Sequence, residues 1–487
     1  MTARWLPGAW GDISEPSFTV VGLGRSGLAA AEALAAHGAP VRVVDEYDTP
    51  EVCASAARLS AGVPVSFGDL PAARPGEVYV VSPGFVADSP RYFDLVDSGH
   101  PVVDETEVFF HLMRARFRDH PCRIVGVTGT NGKTTTTALI GHLLKETGVP
   151  AVVGGNIGLP LCAQLDDLTP ETVVVAELSE IHLLGQTAFH NDVAVITNID
   201  YDHVIGLPVF GGVAANYHAC KWSITDRLTA EDTLVYSADC PHTRVRTDNG
   251  PHAFRLVPVS RSHRQPGMGW WMSGSAYRCA SGEPVAGRAD VSTLAVGEEQ
   301  LLLGEHNDAN VLMALAVMAA LGADLTLLPQ ALSSFRSPAH RVNLLSGISS
   351  GQTVIDDSKA TNPPAALAAL EIVRRTYPGR RLVWLGGGQS DQTSKADLVS
   401  RLPTVADAVV LIGESAEEFA NLLRPGMTVR VAGSMQDAVR TAFAELGGEP
   451  GVLLLSPAAK SFDMFRDYAD RARVFREAVA ETLTSPV

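Results

Sequence analysis

The ten residues Gly126-Val127-Thr128-Gly129-Thr130-Asn131-Gly132-Lys133-Thr134-Thr135 constrain this chain more than any other feature. Arg123 to Val127 reads as a buried strand and Lys133 to Thr147 as a helix, so the glycine-rich stretch is the turn between them. A turn so placed points successive backbone N–H groups at phosphate oxygens, the helix N-terminus adds its positive end, and the lysine supplies a mobile cation. The threonine hydroxyl that follows can ligate magnesium. The alternative is a glycine turn with a surface lysine, which leaves the register of strand, loop, Lys-Thr and helix without a reason.

A second, weaker glycine turn precedes it. Phe18 to Val21 is apolar, Gly22-Leu23-Gly24-Arg25-Ser26-Gly27 follows, Leu28 to His37 is alanine-rich, and Val41 to Val44 ends at Asp45. Strand, turn, helix and strand in that order open a parallel α/β unit, and Asp45 stands where an acid can accept a ribose hydroxyl. Such a GxGxxG takes NAD or a UDP-sugar, or serves only to pack helix on strand. A third α/β region has strands near Thr353 to Ile355, Arg381 to Leu385, Ala408 to Ile412, Thr428 to Val431 and Gly451 to Leu455. Residues 255–303 suggest small antiparallel strands, and Ala309 to Leu321 a strong helix. The expectation is an α/β protein of three domains, 1–108, 109–344 and 345–487: a Rossmann-like domain, a phosphate-loop ATPase domain with a parallel sheet, and a second Rossmann-like domain.

Length and charge agree with that count. At 487 residues the chain is about three times a typical domain of roughly 150. Lysine plus arginine total 38 against 54 aspartate plus glutamate, a net charge of −16, which excludes wrapping of nucleic acid or of an anionic membrane. The six cysteines show no CxxC spacing, as expected of reduced thiols in a cytosol. The longest apolar run, Val311 to Leu321, is short of the roughly 20 residues that span a bilayer. The N-terminus has no basic segment followed by an apolar one, so a cytoplasmic location is expected.

Two residues sit where ligands gather in open sheets. Glu177 follows the strand Val173 to Ala176, and His203 follows Asn198-Ile199-Asp200-Tyr201-Asp202 after the strand Val193 to Thr197. A carboxylate and an imidazole on the edge that bears the phosphate loop could hold magnesium beside ATP. Lys221 lies in a helix expected over Ala214 to Leu228 and by itself reads as a surface lysine.

Taken together the motifs become recognisable. Gly129-Thr130-Asn131-Gly132-Lys133-Thr134-Thr135, Glu177-Leu178-Ser179, Asn198-Ile199 with Asp202-His203, Gly304 with His306-Asn307 and Asn310, His340-Arg341, and Asp357-Ser358-Lys359-Ala360-Thr361-Asn362 occur in the order found in Mur ligases. The resemblance spans nearly the whole chain. Gly22 to Gly27, Ser82-Pro83-Gly84, Gly155-Asn156-Ile157-Gly158 and Ser456 to Phe465 resemble the glutamate-adding member of that family. The resemblance implies a ligase that uses ATP and magnesium to activate the carboxylate of UDP-N-acetylmuramoyl-L-alanine as an acyl phosphate, which glutamate then attacks. It implies that Gly24, Arg25, Ser26, Asp45, Gly84 and Asn156 hold the UDP-substrate. It assigns Gly129 to Thr135, Asn310, Arg341 and Asp357 to ATP. Thr134, Glu177, His203 and a carbon dioxide-derived carbamate on Lys221 serve the metals, with Lys133, Glu177, His203 and Lys221 as the catalytic set. Lys359, Thr361, Lys460 and Ser461 face the incoming amino acid.

The chain departs from the family in three places. Ser179-Glu180 replaces a usual pair of serines, with His182 where glutamine is common. Gly386-Gly387-Gly388-Gln389-Ser390-Asp391 lacks the lysine that normally meets the side-chain carboxylate of D-glutamate. Lys460 stands where a small residue is usual. A lysine lost and another gained leave D- and L-glutamate equally open. The competing readings are an NAD-dependent oxidoreductase built on Gly22 to Gly27, which ignores the phosphate loop, and a nucleotide-switched binding protein, which needs no modified Lys221.

Overall fold

The computed structural model describes residues 10–59, 62–83, 90–119, 121–200, 208–261, 269–273, 276–279, 284–287, 305–335, 342–345, 351–390, 394–423 and 427–484. Among them three sheets form, and each carries one group of the motifs above on the edge formed by its strand C-termini.

The first sheet has five parallel strands, β1 (Ser17–Val21), β2 (Val41–Asp45), β3 (Val65–Phe67), β4 (Glu77–Val81) and β5 (Val102–Val103), in the order β3-β2-β1-β4-β5. β1, β2 and β4 are buried along their whole length, the pattern of a parallel sheet covered on both faces. Strand order reverses between β1 and β4, which opens a crevice at their C-terminal ends. The glycine turn lies there, and Ser82 Oγ donates to Gly22 O at 2.8 Å. A Cβ on Gly27 would stand 1.9 Å from Gly22 O, so this glycine is required for the helix Arg25–His37 to approach the turn.

The second sheet has nine strands. β6 (Arg123–Thr128) is flanked by β8 (Val173–Glu177) and β9 (Val193–Ile196), with β7 (Ala151–Gly155) outside β8. β10 (Thr233–Ser237) and β11 (Arg255–Ser260) continue the parallel run beyond β9. The antiparallel strands expected over 255–303 begin later: β11 pairs parallel with β12 (Trp270–Ser273), and only β13 (Ala276–Cys279) and β14 (Pro284–Gly287) turn back. The apolar run is a core helix, Glu305–Ala320, whose residues Val311 to Met318 are fully buried and which packs on the helix Lys133–Glu146. No described helix is long and apolar enough to cross a membrane.

The third sheet has β15 (Asn343–Leu344), β16 (Thr353–Asp356), β17 (Arg381–Gly387), β18 (Ala408–Ile412), β19 (Thr428–Val431) and β20 (Gly451–Leu455), in the order β15-β16-β20-β17-β18-β19. β20 lies between β16 and β17, parallel to both, so the loops after Asp356, Gly387 and Leu455 converge on one edge. The boundary expected at 108 falls inside the helix Glu105–Arg116, and β15 pairs with β16 of the third sheet. Neither a helix nor a paired strand divides well between domains, so we propose junctions after Arg116 and ahead of Asn343.

Candidate active site

The phosphate loop is clasped by the segment after β9. Asn131 N donates to Asn198 Oδ1 and Asn198 Nδ2 donates to Asn131 O, each at 2.9 Å, while Thr197 Oγ1 donates to Asn131 O at 2.6 Å. Gly129 (φ +142°) and Gly132 (φ +85°) adopt backbone that side chains rarely take, and a Cβ would stand 2.0 Å from Thr197 Oγ1 or 2.5 Å from Asn310 Oδ1. Asn310 is thus pressed against the loop, held by Thr136 Oγ1 (3.1 Å) and by Asn307 Oδ1 (2.9 Å). Thr130 Oγ1 lies 3.1 Å from Tyr217 Oη. Lys133 Nζ folds back on Gly129 O (2.7 Å) and Thr130 O (3.0 Å), bonds it can exchange for phosphate oxygens.

Beside the loop a buried charged cluster forms. Glu177, 1% exposed at the end of β8, accepts from Asn156 Nδ2 at Oε1 (2.8 Å), while its buried Oε2 has no hydrogen-bond partner among the described residues. Lys221 is wholly buried near the end of the helix Ala214–Trp222, which stops short of the expected Leu228, and donates to Glu180 Oε2 at 2.7 Å. The sequence alone reads it as a surface lysine; the helix face packed on Glu180–Leu184 buries it instead. Burial alone would raise the Glu180 carboxyl, but Lys221 and Lys133 outweigh it and hold it at about 2.

His182, 3% exposed, shares a 2.6 Å hydrogen bond between Nδ1 and Ser179 Oγ. Burial lowers its imidazole from 6.5 to about 4 against the pull of Glu177 and Glu180. The unfolded chain therefore takes a proton that the native state refuses. The resulting stability is present above about pH 6.5 and lost as pH falls towards 4. The total is about 3 kcal/mol at ~1.36 kcal/mol per unit. In His182→Gln this contribution should vanish, so the stability difference between wild type and variant should change by about that amount between pH 7 and pH 4 in urea titrations. A difference that does not vary with pH would show that His182 takes up its proton as readily in the native state as in the unfolded chain.

The third sheet faces the loop. Lys359 Nζ lies 3.2 Å from Thr134 Oγ1 and 5.4 Å over the Tyr468 ring, and Asn362 Nδ2 reaches Asn131 Oδ1 at 3.3 Å. Asp357 accepts from Ser456 Oγ (2.6 Å) and Val342 N (3.1 Å). Thr361 N donates to Lys359 O at 3.0 Å. The buried guanidinium of Arg471, lowered by burial to about 10, ties Ser358 O, Ala459 O and Lys460 O together and so fixes the loops bearing Lys359, Lys460 and Ser461. Where a lysine is missing after β17, Ser390 N donates to Glu414 Oε2 at 3.2 Å. The next lysine, Lys395, is buried against Glu418 (3.1 Å) and the Phe419 ring.

Two cavities flank the start of the helix Lys133–Glu146. One, of about 510 Å³, is lined by Asn131, Gly132, Asn198, Asn310 and Asp357. The other, of about 600 Å³, is lined by Arg25 and Ser26 of the first domain, Thr134, Asn156 and His182 of the second, and Lys359 of the third. The structure thus brings together expected residues from all three domains. Arg25 donates to Gly158 O, which joins the glycine turn to the loop after β7. Gly24 caps the helix Arg25–His37 and places Arg25 and Ser26 at its first turn. Asp45 is buried, and its carboxylate accepts from Leu23 N (2.6 Å) and Tyr47 N (3.0 Å), so it braces the turn. Gly84, His203 and Arg341 lie outside the described residues. Residues that the sequence did not single out include Tyr217, Arg471 and Tyr468, which bear no motif of their own and reach the site only through folding.

Comparison with known proteins gives a consistent set of likenesses. Residues 16–104 match the Mur ligase MurD-like N-terminal domain, 127–318 the Mur ligase middle domain, and 340–459 the Mur ligase glutamate ligase domain. A UDP-N-acetylmuramoylalanine–D-glutamate ligase of Desulfitobacterium hafniense is 32% identical over 98% of this chain and 100% of its own. One of Frankia casuarinae is 37% identical over 94% and 93%. Among solved structures, UDP-N-acetylmuramate-alanine ligase MurC from Thermotoga maritima superposes with a TM-score of 0.60 at 20% identity, covering 96% of this chain and 99% of that one. MurF ligase from the same organism in complex with ADP gives 0.58 at 16% identity, covering 99% and 98%. These two show a shared fold.

Proposed function

We propose the following reading for a chain that belongs to the Mur ligase family. It is an ATP-dependent amide ligase that joins glutamate to UDP-N-acetylmuramoyl-L-alanine in peptidoglycan precursor synthesis. The observation that carries the step from ATP binding to ligation is the contact between domains: Lys359 Nζ lies 3.2 Å from Thr134 Oγ1, at a cavity also lined by Arg25 and Ser26. ADP release that requires both UDP-N-acetylmuramoyl-L-alanine and glutamate would support the reading; release without either would overturn it. The oxidoreductase and nucleotide-switch readings find no support among the relatives.

A free carboxylate is a poor acyl donor, so the γ-phosphoryl group first moves from ATP to a carboxylate oxygen, and ADP leaves. The glutamate nitrogen then attacks the acyl carbon, a tetrahedral intermediate forms, and the C–O bond to phosphate breaks. In our reading the N–H groups of Gly129 to Thr135 and Lys133 hold the ATP phosphates, with Asn310 and Asp357 on the cavity that takes the rest of the nucleotide. Arg25, Ser26 and Asn156 hold the UDP-substrate, and Lys359, Thr361, Lys460 and Ser461 receive the amino acid. Magnesium fits Thr134 and Glu177, because the buried Glu177 Oε2 lacks a partner and calls for a cation. When bound, the metal would offset charge on the transferring phosphoryl group. Closure of the three domains excludes water from the acyl phosphate.

The relatives are named for D-glutamate, which we take as the first reading of the enantiomer. One observation favours L-glutamate instead: Gly386 to Asp391 carries no lysine, Glu414 accepts from Ser390 N there, and Lys460 sits across the β-bridge to Gln389. A side-chain carboxylate held away from water needs a cation or several donors. If Lys460 supplies it, Lys460→Ala should raise the KM for glutamate at least tenfold while the KM for ATP stays within about twofold, since ~1.4 kcal/mol corresponds to a tenfold change. An unchanged glutamate KM would remove Lys460 from the site. Turnover with each enantiomer in turn decides between the two.

A further inference from the structure

Lys221 and Glu180 form an internal pair that the family resemblance does not anticipate. Nζ stands 2.7 Å from Glu180 Oε2, the lysine side chain is wholly buried and that of Glu180 is 14% exposed. Both residues stand on helices that pack on each other, Ala214–Trp222 and Glu180–Leu184, so the contact belongs to the backbone scaffold and not to a flexible loop. Nζ also lies 5.4 Å over the ring of Tyr217, whose hydroxyl is 3.1 Å from Thr130 Oγ1. The pair is therefore tied to the phosphate loop.

A carbamate on Lys221 would require the amine lone pair to form a bond to the carbon of CO₂, one C=O pair to move onto oxygen, and a proton to leave nitrogen. Here Nζ donates hydrogen to Glu180 instead. The product would also set a second carboxylate against Glu180 in a buried site, and like charges in contact without water oppose each other strongly. With a serine in place of Glu180 the lysine would lose its internal counter-ion, and modification by CO₂ would become the route to an anion at this place.

We infer that Glu180 replaces the carbamate: Lys221 remains an unmodified ammonium, the carboxylate of this part of the site is encoded in the chain, and the enzyme works without carbon dioxide. The inference rests on the ligase reading above. Its test uses the full-length enzyme equilibrated with ¹³C-bicarbonate and examined by ¹³C NMR. Wild type should show no protein-bound carbamate carbon, whereas Glu180→Ser should gain one per chain that Lys221→Arg in the same background abolishes. ADP formation by wild type should stay within twofold when CO₂ is stripped, and that of Glu180→Ser should fall at least tenfold and return with bicarbonate. A wild-type carbamate signal lost in Lys221→Arg would overturn the inference, as would a folded Glu180→Ser that stays unlabelled. If Glu180→Ser does not fold, the wild-type spectrum and CO₂ response decide alone. Absence of ADP formation under every condition would count against the ligase reading, while the labelling result would still judge Lys221.

Discussion

Lys133→Ala should lower ligase turnover by about 10³-fold or more, equivalent to ~4 kcal/mol of transition-state stabilisation, and leave the fold intact. Two parts of the structure give these opposite expectations. The ammonium group of Lys133, the one cation in Gly126 to Thr135, rests on the carbonyls of Gly129 and Thr130, bonds that it can exchange for the oxygens of an incoming phosphate. The loop does not depend on it for shape, because Thr197, Asn198 and Asp200, whose N–H donates to Thr130 Oγ1, already clasp it from the β9 side. Thermal unfolding of the variant should therefore lie close to wild type while coupled assays of ADP formation collapse. Lys133→Arg should recover little, since a planar guanidinium does not replace a compact ammonium in so close a turn. A folded Lys133→Ala protein with normal turnover would remove the loop from the chemistry.

Motifs contiguous in sequence were legible, because a strand–turn–helix fixes its own ligand geometry. The phosphate loop and Glu177 at the end of β8 follow from where the apolar strands β6 and β8 stop. The strands Ala151–Gly155 and Thr233–Ser237 were not read, the first because its two closing glycines mark it as a turn, the second because it is five residues long with a polar residue at each end. Spacing alone leaves open whether Asp45 faces a ligand or its own backbone, and only the fold shows the bonds from Leu23 N and Tyr47 N. Lys221 was unreadable for a related reason: helix periodicity gives its face, but only the packing of Glu180–Leu184 buries that face and provides a carboxylate. Arg471 is a stronger case. It lies on the last described helix and holds loops 11 to 113 residues away, a link that no local pattern records.

Glu177→Gln should separate stability from function. The native carboxylate spends Oε1 on Asn156 and leaves a buried Oε2 unpaired, an arrangement that costs the metal-free protein free energy. Glutamine keeps the size and can keep a carbonyl towards Asn156 while removing the charge, so the metal-free variant should be as stable as wild type or up to about 1–2 kcal/mol more stable. Turnover should fall by roughly 10²–10³-fold, because the site loses the anion that Thr134 alone cannot replace. Magnesium supplies the decisive comparison. A ligand bound only by the native state at a hundred times its Kd stabilises by about 2.7 kcal/mol, so millimolar magnesium with nucleotide should raise the Tm of wild type by several degrees more than that of Glu177→Gln. Equal shifts in both proteins would mean that the metal is held elsewhere and that the unpaired oxygen of Glu177 waits for a group of the substrate instead.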